Sequence, residues 1–314
     1  MMEATQLLEA IALEAIEENI YRGVSHSIGA KRVFGGQVLA QALQAAILTV
    51  TEERLVHSLH GYFILPGDPT KPIIYNVDRL RDGGSFTTRR VVAIQNGKAI
   101  FNMAASFQIQ EEGFEHQIPM PNVPSPDVLM NAEQLLAKYK DHLPEHVQRT
   151  LAVQRPIEFR PVEKPYFINP VKNQPFRHIW IRANGILPDT PTTHRIVLAY
   201  ASDYNLLETA MHPHGVTWND VMAASLDHAM WFHRNFRADE WLLYALDSPS
   251  ASNARGFTRG NVFNMEGQLV ASVVQEGLIR KKSLKTLTSD SVFYFDSSCS
   301  CTNGSFKIED KVGF

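Results

Sequence analysis

The chain repeats itself, and that feature limits its fold more than any other. RLVHSLHGYF (residues 54–63) has a second version in VMAASLDHAMWF (221–232), with Ser58-Leu59 against Ser225-Leu226. Downstream, SFQIQEEG (106–113) matches SVVQEG (272–277), with Gln108 against Gln275. Both pairs lie 167 residues apart. Between these anchors Tyr75 faces Tyr244 and Phe86-Thr87 faces Phe257-Thr258, at separations of 169 and 171, so small insertions compensate before the glutamines. A duplicated segment of this size implies one structural unit built twice.

Each copy shows the same order of elements. In the first, GGQVLAQALQAAILTV (35–50) places Val38, Leu39, Ala42, Leu43, Ala46 and Ile47 on one helical face, with Gln37, Gln41 and Gln44 opposite. Strand patterns follow at 55–65, 71–80, 85–95 and 98–110, and Asn96-Gly97 is a two-residue hairpin signal. In the second, DYNLLETAM (203–211) is the helix candidate, and strands are expected at 221–232, 240–247, 254–264 and 268–279. The reading divides the chain into repeat 1 (1–115), a linker (116–175), repeat 2 (176–282) and an unstructured tail (283–314). The linker opens on IPMPNVPSP (118–126) and carries one helical piece, NAEQLLAKY (131–139). At the N-terminus, Leu7, Leu8, Ile11, Leu13, Ile16 and Ile20 suit an acidic amphipathic helix. A helix followed by an antiparallel meander, twice over, predicts an α+β fold. In it each long helix is wrapped by an antiparallel sheet, and the two sheets lie side by side as a pseudo-dimer.

Composition removes several function classes. At 44% hydrophobic and 20% charged, the 314 residues can bury a sizeable core. A net charge of −3 gives no reason to expect nucleic acid as a partner, and no apolar run has the length of a membrane span. The N-terminus lacks the basic start and apolar stretch of a signal peptide. The only cysteines, Cys299 and Cys301, support neither a disulfide framework nor a metal site, so a location inside the cell is expected.

Ser225, Asp227, His228 and His233 stand close together, which suggests a nucleophilic triad. A hydrolase serine of that kind needs a Gly-x-Ser-x-Gly elbow, whereas Ser225 sits in Ala-Ala-Ser-Leu-Asp within a strand pattern. On a continuous strand Ser225 and Asp227 share one face and His228 takes the other. His212, His214, His228 and His233 have no metal-ligand spacing, and no dinucleotide or Walker loop is present. The repeat separates the residues better. At the 167-residue offset Asp203 corresponds to Gly36, so both copies hold a serine and a glutamine but only the second adds a carboxylate. Asp203, Ser225 and Gln275 therefore form a constellation present once per chain. The plain alternative is an Asp203 that caps its helix, a tolerated polar Ser225 and a strand-end Gln275.

FGGQVLAQAL (34–43), HSLHGYFILPGDP (57–69), ASDYNLL (201–207), SLDHAMWFHR (225–234) and VVQEG (273–277) closely resemble the acyl-CoA thioesterase II family, over residues 10 to 282. The resemblance implies a double hotdog fold and the hydrolysis of fatty acyl-CoA to free acid and coenzyme A. It places the family's aspartate at Asp203, its Ser-or-Thr position at Ser225 and its glutamine at Gln275. Asp203 would act as general base or orient the attacking water, which Ser225 and Gln275 would hold. Gly35, Gly36 and Ser58 are the expected substrate-binding positions, with backbone N–H groups at a helix start receiving the thioester oxygen. Acyl-CoA is the expected partner, no cofactor or metal is called for, and a homo-oligomer is expected. Two rivals remain open: a hotdog enoyl- or hydroxyacyl-CoA hydratase, and a non-catalytic acyl-CoA-binding protein. Peroxisomal members end in a Ser-Lys-Leu-type tripeptide, whereas this sequence ends Val312-Gly313-Phe314, so a cytoplasmic location is as well supported as a peroxisomal one.

Overall fold

In the computed structural model, which describes residues 4–25, 32–164 and 171–282, the first half begins with a short helix, α1 (Ala4–Ile11). A hairpin follows, β1 (Leu13–Glu17) and β2 (Ile20–Gly23), then the long helix α2 (Gly35–Ile47). The strands β3 (Arg54–Phe63), β4 (Ile73–Asp82), β5 (Phe86–Gln95) and β6 (Lys98–Ile109) complete it. Between the halves lie α3 (Ala132–Tyr139), α4 (Glu145–Ala152) and β7 (Ile157–Pro161). The second half runs β8 (Phe176–Ala183), α5 (Pro191–Ser202), α6 (Leu206–Thr209), β9 (Val221–Ser225), β10 (Asp227–Phe232), β11 (Leu242–Ser252), β12 (Arg255–Phe263) and β13 (Leu269–Lys281). The tail reading from residue 283 lies outside the described residues.

The strands join in one antiparallel sheet of order β1-β2-β4-β5-β6-β3-β10-β13-β12-β11-β8-β7, with β9 attached to β13. The seam between the halves is β3 against β10, where Leu59 pairs with Met230. α2 packs on β4, β5 and β6 and against α5, and one apolar core crosses the seam through Leu39, Leu43, Leu59, Val197 and Met230. This is the side-by-side arrangement of two helix-and-sheet units that the repeat predicts. The polar side of α2 is buried as well. Gln41 Nε2 donates to the carbonyls of Ala10 (2.8 Å) and Val24 (3.0 Å), and Gln41 Oε1 accepts from Tyr75 Oη at 2.7 Å. The glutamines thus satisfy the backbone of the segment that closes over the helix.

Three expectations need correction. The N-terminal helix stops at Ile11. Asn19 takes a left-handed turn (φ 62°) and β2 extends the sheet edge by pairing with β4. The second long helix is 191–202, not 203–211. Residues 194–202 are buried on every side, so α5 has no polar face to reveal a helical period. The run 221–232 is not one strand either. From Ser225 to Ala229 is four steps, yet their partners Gly277 and Val274 are three apart, so one extra residue bulges between β9 and β10. Past the bulge the alternation of faces is inverted, and Ser225 and His228 point to the same side.

Candidate active site

Asp203 is the residue after the last turn of α5, its C-cap, with αR backbone angles (φ −76°, ψ −15°). This overturns its expected place at a helix start. It also removes the N-capping explanation, because a carboxylate at a helix C-terminus meets the negative end of the dipole. Compensation comes from elsewhere. The N-terminus of α2 points at the same carboxylate, and the Gly36 N–H donates to Asp203 Oδ2 at 3.0 Å. Gly36 and Asp203 are therefore partners in contact, not equivalent positions of the two repeats.

The glutamine and serine expected beside Asp203 are there. Gln275, fully buried on β13, donates from Nε2 to Asp203 Oδ1 at 2.9 Å. The half-buried Ser225 lies beside the Asp203 carboxylate, and its hydroxyl makes a small contribution that lowers the pKa of that group. Burial pushes the Asp203 carboxyl above its ordinary value of 3.8, opposed by the hydrogen bonds from Gln275, the Gly36 N–H and Ser225. Gln275 Oε1 is buried with no hydrogen-bond partner. A poised carboxylate and an open acceptor thus lie side by side in a buried site. Tyr204, next to Asp203, packs at a tilt against Phe34 (ring centroids 4.4 Å apart) and Phe159 (5.1 Å), an aromatic wall beside the carboxylate.

Of the remaining expected residues, Gly35 and Gly36 are at the site and Ser58 is not. A Cβ on Gly35 would lie 2.7 Å from Asp203 Oδ2, and one on Gly36 would lie 2.3 Å from the Tyr200 carbonyl oxygen. Both positions need glycine for close approach. Ser58 is on the outer face of β3, opposite Leu59, and pairs with Trp231 across the seam. Gln108 is also on an outer face and donates to Glu111 at 2.8 Å, whereas its sequence counterpart Gln275 faces inward. The register explains this: Thr87 pairs with Phe107 and Thr258 with Gln275, so Phe107 is the residue placed like Gln275.

Sequence reasoning missed His228. It is wholly buried, its Nδ1 is 3.1 Å from Gln275 Nε2 and 4.0 Å from Asp203 Oδ1, and its Nε2 is 2.9 Å from Ser202 Oγ. Burial lowers its pKa to about 3, so the ring is neutral. His233, by contrast, bonds Ser272 Oγ at 3.0 Å. Asp227 accepts the Glu276 N–H at 2.6 Å. A separate surface cavity of about 370 Å³ lies at the other end of α5, lined in part by His194, Arg237 and Trp241. It is a helix length, roughly 18 Å, from Asp203.

Known proteins resemble this one along most of the chain. A family model described as acyl-CoA thioesterase matches residues 148–278, and one described as acyl-CoA thioesterase N-terminal domain matches residues 23–108. Acyl-CoA thioesterase 2 of Haemophilus influenzae is 41% identical over 276 residues, 87% of this chain and 96% of the relative. The chain belongs to the acyl-CoA thioesterase II family. A crystal structure of acyl-CoA thioesterase II TesB2 from Mycobacterium marinum superposes with a TM-score of 0.73 at 42% identity, covering 88% of this chain and 99% of that one. A hot dog fold protein from Alicyclobacillus acidocaldarius, 18% identical, gives a TM-score of 0.70 over 88% of this chain and 98% of its own, which bears on the fold alone. As a member of the acyl-CoA thioesterase II family the chain is a thioester hydrolase with a double hotdog fold. Among the described residues no helix is long and apolar enough to cross a membrane.

Proposed function

We propose that this acyl-CoA thioesterase hydrolyses fatty acyl-CoA to free fatty acid and coenzyme A through a water activated by Asp203 and held by Ser225 and Gln275. The observation that carries this reading is the convergence of Gln275 Nε2 and the Gly36 N–H on one buried carboxylate whose pKa is raised, with Ser225 beside it. A raised pKa makes Asp203 a stronger base than an exposed aspartate. A thioester carbonyl is already electrophilic and thiolate leaves readily, so activated water suffices without a covalent intermediate. Water attacks the carbonyl carbon as Asp203 takes its proton. The tetrahedral intermediate then expels the thiolate sulfur, which receives that proton. We assign the thioester oxygen to the backbone N–H groups at the positive end of α2, near Gly35 and Gly36.

The hydratase alternative needs an acid to protonate a substrate carbon. His228 is the histidine beside Asp203, but its neutral ring is already engaged by Ser202 and Gln275, which disfavours that reading.

Release of free thiol from palmitoyl-CoA, followed with a thiol reagent, tests the proposal. Asp203→Asn should keep its fold and lose about 10²–10⁴-fold in kcat. Near-wild-type turnover by that variant would overturn the base assignment, and no thiol release by the unaltered protein from any acyl chain length would favour a binding role.

A further inference from the structure

A chain of hydrogen bonds starts inside α5 and ends on the Asp203 carboxylate. Ser202 Oγ has two acceptors, the Ala199 carbonyl oxygen at 2.9 Å and the weaker Met230 Sδ at 3.3 Å, and either one uses its single proton. The Ser202 oxygen then accepts from His228 Nε2 at 2.9 Å. An imidazole protonated on Nε2 has a bare Nδ1, which accepts from Gln275 Nε2 at 3.1 Å. The second hydrogen of that amide nitrogen goes to Asp203 Oδ1 at 2.9 Å. The opposite assignment fails at the far end. A hydrogen on Nδ1 would require the amide oxygen to face the ring, which would put that oxygen 2.9 Å from a carboxylate oxygen.

Both hydrogens of the Gln275 amide are therefore committed, and its Oε1 is left buried and unpartnered. A glutamine carboxamide has a soft, roughly two-fold terminal torsion, so its orientation must be imposed from outside. Asp203 fixes which end turns inward, and His228 fixes the rotation. We propose that His228, held in one tautomer by Ser202, is a positioning residue that pins the Gln275 carboxamide with Oε1 facing the attacking water. The inference rests on the proposed water-holding role of Gln275 and gives that role a polarity. Gln275 accepts a hydrogen from the water and donates none, so the water's other hydrogen points to Asp203 and a lone pair faces the thioester carbon. Neither His228 nor Ser202 touches the reacting atoms.

Steady-state palmitoyl-CoA hydrolysis by His228→Leu, His228→Asn, Ser202→Ala and Gln275→Ala tests this, with nitrogen-15 NMR of the histidine rings in the unaltered enzyme. His228→Leu fills the space without an acceptor and should lower kcat about tenfold or more with KM nearly unchanged. His228→Asn, whose Oδ1 takes the place of Nδ1, should recover most of that loss. Ser202→Ala should lower kcat several-fold, because the tautomer is no longer held. The His228 ring in the unaltered enzyme should carry its proton on Nε2, a result independent of how any variant folds. A proton on Nδ1 overturns the proposal, as does wild-type kcat in both His228→Leu and Ser202→Ala. An Asn variant no better than the Leu variant also overturns it. Wild-type kcat in Gln275→Ala would instead show that the role given to Gln275 itself is wrong.

Discussion

Gly36 and Asp203 meet across 167 residues, the glycine N–H donating to the aspartate Oδ2 at 3.0 Å. The contact joins the start of α2 in one repeat to the end of α5 in the other, so the carboxylate belongs to the interface between repeats. Its favourable partner is a helix N-terminus from the half that lacks a carboxylate of its own.

The two glycines at that junction should respond differently to alanine. At Gly35 the added methyl would lie 2.7 Å from Asp203 Oδ2, a side-chain atom that can move. Gly35→Ala should therefore displace the carboxylate and lower kcat about tenfold or more while the melting temperature changes little, since alanine favours a helix. At Gly36 the methyl would lie 2.3 Å from the Tyr200 carbonyl oxygen, and backbone cannot yield so easily. Gly36→Ala should force α2 and α5 apart and lower the melting temperature by about 5 °C. Thermal melts beside thiol-release assays check both, and a fully active Gly35→Ala would contradict the placement of Asp203.

Gln275→Glu would set a second carboxyl group where the amide now lies 2.9 Å from Asp203 Oδ1. Two carboxylates that close do not both ionise readily, so the pair should hold a proton to higher pH than Asp203 alone. Asp203 is already raised above 3.8, chiefly by burial, and activity falls as pH drops through its pKa. The acidic limb of kcat/KM against pH should accordingly move up by about a unit or more in the variant. An unmoved limb would mean that a group other than Asp203 controls it.

Much of this site was legible in the sequence, for identifiable reasons. Asp203 stood out because the 167-residue offset set it against Gly36, which is its hydrogen-bond partner rather than its equivalent. Its neighbours Ser225 and Gln275 were found, but the matches to Ser58 and Gln108 that drew attention to them are not structural equivalences. Gln108 is one residue out of register with Gln275, which sends it to the outer face, and strand pairing places Arg54 rather than Ser58 like Ser225; linear alignment does not feel such shifts. His228 was hidden by the bulge at Leu226, which inverts the alternation on which a strand reading depends. The second long helix was hidden by its complete burial. Thr190-Pro191 was the available signal, since the Thr190 hydroxyl accepts from the Thr193 N–H as N-cap and proline occupies the first helical position.

Stability should fall on mild acidification, through two buried histidines. Burial lowers the pKa of His228 to about 3 and of His212 to about 4, from 6.5 in the unfolded chain. Between those values the unfolded chain binds protons that the folded protein refuses, so stability present above pH 6.5 is lost as pH decreases. At pH 5 the loss amounts to about 2 kcal/mol for each ring as an upper bound. Asp203 and Asp227 act in the opposite direction, because a raised carboxyl pKa disfavours the folded state above it and that penalty is relieved as pH falls towards 3.8. Melting temperature measured from pH 7.5 to 5 should decline, and His212→Asn should flatten that decline. A flat profile in the unaltered protein would show that these rings are not buried neutral.

Asp227 separates a structural carboxylate from the one at the site. Its Oδ1 accepts the Glu276 N–H at 2.6 Å, which holds β10 to β13 immediately past the bulge and next to Gln275. Burial and the nearby Glu276 raise its pKa, so its charge is a burden to the fold and its acceptor oxygen is what matters. Asp227→Asn keeps the oxygen and discards the charge. That variant should retain most of the thioesterase activity and melt at or slightly above the wild-type temperature near pH 7. Asp227→Ala removes the acceptor, leaves the Glu276 N–H unpaired and loosens the strand that carries Gln275, costing about 1–3 kcal/mol. Its melting temperature and kcat should both fall. An Asn variant as damaged as the Ala variant would assign the charge of Asp227 a part in the chemistry, contrary to its position.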